Sequence, residues 1–142
     1  VIPQDRIMAN PTGQEFVPCV SFILLRDGCV LLEQRRTDKS TDPGRIMIPG
    51  GHIEAGESQL QALQRELAEE LGLQALQPRY VCSLLHPTSE LQLLHYYLIT
   101  DWQGELCAHE AERVFWYPVS ELAGLDLCPD DIAIAEVRRL YL

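Results

Sequence analysis

The chain has 142 residues, a formal net charge of −10 and 46% apolar side chains, enough to bury one good core and too few residues for two ordinary domains. So acidic a chain repels a phosphate backbone, which argues against nucleic acid as a polymeric partner, and no apolar run approaches the roughly 20 residues of a membrane span. Five widely spaced cysteines without a Cys-x-x-Cys pair point to reduced core thiols in the cytoplasm rather than a zinc clip or redox dithiol. In chain order, residues 1–13 lack the basic start and apolar stretch of a secretory signal and are expected to be a loosely ordered segment. Val1 in place of methionine leaves room for residues upstream. Phe16 to Leu25 and Cys29 to Arg35 are apolar runs split by Arg26-Asp27-Gly28, and Asp-Gly predicts a β-hairpin. Thr37 to Gly44 reads as a polar loop before the short segment Arg45 to Ile48, and Pro49-Gly50-Gly51 reads as a break in regular structure.

From Ser58 to Leu71, leucines at 60, 63, 67 and 71 recur at helical spacing and Gly72 follows as the stop, which predicts an amphipathic helix. Strands are expected over Arg79 to Leu85, Leu91 to Asp101 and Arg113 to Val119, with turns at His86-Pro87 and Gln103-Gly104. A second helix is expected to begin near Asp130, capped by its carboxylate, and to run to the C-terminus. The order of elements implies one domain over residues 1–142, with a mixed sheet flanked by helices in the α/β to α+β range. No feature of the sequence fixes the oligomeric state as monomer or homodimer.

On the first helix, Glu66, Glu69 and Glu70 fall on one broad face away from the leucine stripe. Residues four apart have Cβ atoms only about 5–6 Å apart, so the like charges of Glu66 and Glu70 repel. A hard cation that takes carboxylate, water and phosphate oxygens would offset this. It would also reconcile an acidic chain with phosphate chemistry, because a bound dication dominates the local field. A solvated acidic surface explains the same three residues when the helix is taken alone.

The flanking residues decide between these readings. Gly51-His52-Ile53-Glu54-Ala55-Gly56-Glu57, then seven residues, then Arg65-Glu66-Leu67-Ala68-Glu69-Glu70-Leu71-Gly72-Leu73 resembles the signature of the MutT-like Nudix hydrolases, G-x5-E-x7-R-E-U-x-E-E-x-G-U with U a bulky aliphatic, at every specified position. Ile48-Pro49-Gly50-Gly51 and Trp116-Tyr117-Pro118 extend the resemblance on either side. It implies the Nudix fold, a mixed β-sheet sandwiched between α-helices (α/β/α), and hydrolysis of a pyrophosphate bond with Mg²⁺, or Mn²⁺ as substitute. By position it implies metal binding by Glu66, Glu69, Glu70 and the Gly50 carbonyl, with Glu57 binding metal through water or bracing the loop. It also implies catalysis by Glu66, Arg65 and Glu69, with Arg65 holding Glu66. Glu110 or Glu112, in the later acidic stretch, is the rival for the base and a further potential metal ligand.

The substrate implied is a small nucleotide, a nucleoside diphosphate linked to another group. Arg35 and Arg36 resemble a phosphate-contacting arginine pair of nucleoside triphosphatases in this family, though basic residues ending a solvated strand look the same. Asp130 and Asp131 resemble a base-reading pair, and helix capping accounts for them too. Nucleoside triphosphates, oxidised ones among them, are the favoured substrates. ADP-ribose or a sugar nucleotide is the alternative, with Pro87 as its pointer, and a non-catalytic nucleotide sensor is the reading from another functional class. Trp102, Trp116, Tyr96 and Tyr97 are available in principle to stack on a base.

Overall fold

Two buried faces on one long strand organise the molecule. In the computed structural model, which describes residues 8–9 and 15–142, every residue from Val17 to Leu24 of β2 (Glu15–Arg26) is buried. Side chains alternate across a strand. Val17, Cys19 and Ile23 therefore join a core containing Ala133, Ile134 and Val137 of α2 (Asp130–Tyr141). Val20, Phe22 and Leu24 join a second core, with Ala62, Leu63, Leu67 and Leu71 of α1 (Gln59–Leu71). The result is the expected α/β/α arrangement. Before β2, β1 (Met8–Ala9) pairs antiparallel with its start. The rest of the expectation for residues 1–13 lies outside the described residues.

The main sheet runs in the order β10 (Arg113–Pro118), β3 (Cys29–Gln34), β2, β8 (Leu91–Ile99), β7 (Arg79–Pro87). The β2–β8 pair is parallel and the others are antiparallel, so the sheet is mixed. The hairpin turn is as predicted: Asp27 and Gly28 take φ of 53° and 72°, the left-handed pair that a tight two-residue hairpin requires. Beyond it the strands part, since β2 and β3 pair only through Leu25 with Val30 and Arg26 with Cys29. The segment after the polar loop fills the gap. β4 (Ile46–Met47) pairs with Gln34 and Glu33 of β3. The Pro49 carbonyl accepts from the Phe22 amide at 3.0 Å, and β5 (Gly50–His52) pairs with Cys19 to Ser21. Pro49-Gly50-Gly51 is thus a strand edge rather than a break.

Helix α1 starts with a capping box between Ser58 and Gln61 and ends at Gly72, whose φ of 72° is the left-handed cap that glycine adopts without strain. Two short strands were not expected. Leu73 to Leu76 leaves the helix directly as β6 and pairs with β9 (Asp101–Gly104), where a turn was predicted. Four residues following a helix without a break give too few alternations to read as a strand. β7 likewise runs through His86-Pro87, where a turn was predicted.

The cap expected at α2 is also corrected. The helix has no side-chain cap, and the Asp130 carboxylate turns inward, 1% exposed. It accepts from the Ile48 amide at 2.8 Å and from the Tyr96 hydroxyl at 2.5 Å. This ties the start of α2 to the residues leading into Gly50. Burial raises the Asp130 carboxyl to about 6, against the opposing hydrogen bonds from Tyr96 and Ile48. A raised folded pKa means that this group's stabilisation is full below about 4 and is lost as pH rises through about 6. Tyr96→Phe removes a donor to a buried carboxylate and is expected to destabilise by about 1–3 kcal/mol at pH 7.5. The loss should shrink at pH 5, where the protonated carboxyl needs that donor less; urea titrations at the two pH values measure both quantities.

Candidate active site

Arg65 is the geometric centre of the loop and helix between Gly51 and Leu73. Its Nε and Nη2 donate to the two carboxylate oxygens of Glu57 at 2.7 and 2.8 Å, the forked geometry at which arginine is strongest. Nη1 donates to Glu66 at 2.9 Å and to Glu69 at 3.2 Å, and Nη2 also reaches the His52 carbonyl at 3.0 Å. The guanidinium therefore contacts Glu66 and in addition fastens the loop to the helix. Its own pKa rises further, chiefly through the hydrogen bond to Glu57. Glu57 completes the loop by accepting from the Glu54 amide at 2.7 Å.

Between α1 and the parted strands lies a cavity of about 260 Å³, lined among others by Glu33, Arg35, Gly50, Glu66, Glu70 and Glu110. Three of its glutamates are buried: Glu33 is 4% exposed, Glu70 8% and Glu66 9%. Desolvation is the leading reason that all three carboxyls are raised, Glu33 to about 7 and Glu70 well above the usual carboxylate range. The Glu66 carboxyl is raised against the opposing pull of Arg65. For Glu70 the next causes are the charges of Glu33, Glu66 and Glu110.

Glycine is required where this cavity meets β5. A side chain on Gly51 would run into the Glu66 carboxylate, and one on Gly50 into the Val20 carbonyl. The donors facing the space are hard oxygens. Oε2 of Glu70 and Oε1 of Glu33 are buried without a hydrogen-bond partner, which is costly unless something else meets them. A cation that takes oxygen ligands fits this set. With Arg65 drawing Glu57, Glu66 and Glu69 to itself, no three such groups among the described residues already stand in ligand array.

The remaining predicted residues are divided by the fold. Glu69 stands exposed at the outer edge, held by Arg65. Glu110 lines the cavity. Glu112 does not; it joins β3 through its amide, which donates to the Gln34 carbonyl at 2.9 Å. Arg35 lines the cavity and donates to the Thr41 carbonyl and hydroxyl at 2.9 and 3.0 Å. Arg36 is exposed and paired with Asp38 at 3.0 Å. Asp130 lies beneath the site, and Asp131 lines a different cavity beside Leu125, Ile134 and Arg138. Tyr96 and Tyr97 are core residues. Trp102 and Trp116 stack on each other at 5.9 Å, with Arg26 over Trp102, so none of the four presents a free ring to the cavity.

Two features escaped the sequence reading. Glu33 was detectable as a lone carboxylate after Val30-Leu31-Leu32. The other is a clasp over the polar loop, which no local pattern announces. Asp42 meets His86 Nε2 at 2.8 Å and Arg45 at 3.5 Å, and Arg45 also donates to the Cys128 carbonyl. Loop 37–44 is thereby fixed as one wall of the cavity.

Comparison with known proteins agrees with this geometry. The family model for the NUDIX domain matches residues 15–137. The CTP pyrophosphohydrolase of Escherichia coli (strain K12) is 38% identical over 123 residues, covering 86% of this chain and 90% of that protein. A putative 8-oxo-dGTP diphosphatase 2 of Mycobacterium tuberculosis (strain H37Rv) is 35% identical, covering 79% and 82%. Among solved structures, the E. coli ORF135 protein superposes with a TM-score of 0.72 at 36% identity over 87% of this chain and 91% of that one. The MutT NUDIX hydrolase from Burkholderia pseudomallei gives 0.75 at 25% over 84% and 96%. Signature, sheet topology and these likenesses lead to one assignment: the chain belongs to the Nudix hydrolases, enzymes acting on acid anhydrides in phosphorus-containing substrates.

Proposed function

We propose that the chain is a Mg²⁺-dependent pyrophosphohydrolase of nucleoside triphosphates, oxidised ones among them, with Mn²⁺ as a substitute ion. The observation that carries the metal half is the cavity itself, where Glu66, Glu70 and Glu33 are buried together and Glu70 Oε2 has no hydrogen-bond partner. The substrate half is supported by relatives named for CTP and 8-oxo-dGTP, each matched over most of its length. A cytoplasmic location accords with the cysteines at 29, 82, 107 and 128, which are not joined in disulfides. No helix among the described residues is long and apolar enough to cross a membrane.

In this reading Glu66, Glu70, Glu110 and the Gly50 carbonyl would hold the ion from the cavity side, and Glu69 and Glu57 would serve it from the outer edge. When bound, the ion shields the diphosphate charge and lowers the pKa of the attacking water. Glu66, held by Arg65 at 2.9 Å, is the carboxylate placed to accept a proton from the attacking water. Arg65 keeps Glu66 from turning away, and misplacing a reacting group by even about 1 Å costs rate. Arg35 and Lys39, on the cavity wall, meet the phosphates. The products are a nucleoside monophosphate and pyrophosphate, or a nucleoside diphosphate and orthophosphate. Arg36, Asp130 and Asp131 would act on the substrate only after rearrangement of their present partners.

Turnover of a panel of nucleoside triphosphates, ADP-ribose and sugar nucleotides, ranked by kcat/KM, is expected to favour CTP or oxidised purine triphosphates. A preference for ADP-ribose would overturn the substrate half. Glu66→Gln is expected to lower kcat by about 10²–10⁴-fold, and unchanged turnover would remove it from the mechanism. Mg²⁺ at about a hundred times its Kd should stabilise the folded protein by about 3 kcal/mol, visible as a rise in Tm; no rise with either ion would contradict metal binding.

A further inference from the structure

The strand face that carries Glu33 has a simple logic. Along β3, Leu31 points into the core beneath α1. Two residues on, on the same side of the strand, Glu33 reaches the cavity that Glu66 and Glu70 line, and Arg35 lines it next. Core side chain, carboxylate and cation follow each other toward the open end. Glu33 is 4% exposed, and its Oε1 has no hydrogen-bond partner. The nearest cation, the Arg35 Nη1, is 3.7 Å away, beyond hydrogen-bonding reach, and the rest of that guanidinium is engaged by Thr41. A buried carboxylate kept only as the counter-ion of Arg35 would be expected to take a direct hydrogen bond from it. Glu70 Oε2, buried in the same cavity, also lacks a hydrogen bond. Two residues from different elements that line one space, each with a buried oxygen that no hydrogen bond satisfies, describe a place for a cation rather than for an internal ion pair.

We propose that Glu33, on β3 and outside the 51–73 signature, is an additional ligand of the metal ion and acts together with Glu70. The inference rests on the metal-binding reading given above. It adds a carboxylate from β3 to a site otherwise drawn from α1, β5 and Glu110. Each element then contributes at least one oxygen: Glu33 from β3, Gly50 from β5 and Glu70 from α1.

The test is binding of Mn²⁺ alone, without nucleotide, to wild-type protein, Glu33→Gln, Glu70→Gln and the remote Glu121→Gln. Free Mn²⁺ is followed by electron paramagnetic resonance, and the waters on bound Mn²⁺ by solvent proton relaxation. Glu33→Gln is expected to weaken Mn²⁺ binding by about 10-fold or more and to raise the relaxation enhancement per bound ion, because water takes the vacated position. Glu121→Gln should behave as wild type. Affinity and relaxation both unchanged in a folded Glu33→Gln, while Glu70→Gln loses binding, would overturn the role of Glu33 and leave the metal reading standing. No Mn²⁺ binding by the wild type would overturn the metal reading itself. If Glu33→Gln does not fold, Glu33→Asp decides by the same two measurements, since its charge is kept and only its reach is shortened.

Discussion

Burial of like charge is the constraint around which this molecule is arranged. Glu33, Glu66 and Glu70 face one cavity with their carboxyls raised by desolvation, a state that a chain optimised for stability alone would avoid. Arg65 takes up part of the repulsion. By holding Glu57, Glu66 and Glu69 at once it converts the outer half of the acidic face into an ordered network. The inner half keeps oxygens without hydrogen-bond partners. That division fits a site in which one group of carboxylates is fixed and another is left to receive a ligand.

The backbone around this charge is shaped by two tight approaches. β2 and β3 separate immediately after their turn, and the segment from Ile46 to His52 enters between them. Gly50 and Gly51 are the residues whose missing side chains permit that insertion. Ile48, just ahead of them, is pinned by Asp130 from the far layer. The position of the Gly50 carbonyl therefore depends on a contact that crosses the sheet, and a change in α2 can reach the reactive cavity without touching it.

Much of this was legible in the sequence where the local pattern and the final environment agree. The Asp27-Gly28 turn, the leucine stripe of α1 with Gly72 as its stop, and the mixed sheet between helices follow from periodicity and turn chemistry. The acidic face acquires a specific meaning only because the 51–73 spacing resembles a family signature. The failures have identifiable causes. β6 and β9 are four residues each, too short to show alternation, and they exist because they pair with each other. Asp130 looked like a helix cap because its neighbours suit one, yet a buried amide and a hydroxyl distant in sequence claim it instead. Glu33 went unnoticed because its significance comes from Glu70, which lines the same cavity from a different element.

Strand β2 serves two cores with alternate side chains, and this has a consequence for how such a protein diversifies. The α1 layer is committed to the acidic cavity and its residue spacing is that of the 51–73 signature. The opposite layer, with α2 and its separate hollow beside Asp131, shares the strand but few of the same side chains. Substitutions in the two layers are therefore expected to combine nearly additively when they share no partner. The Ile48–Asp130 contact is the exception, a link through which a change in the α2 layer reaches the acidic cavity.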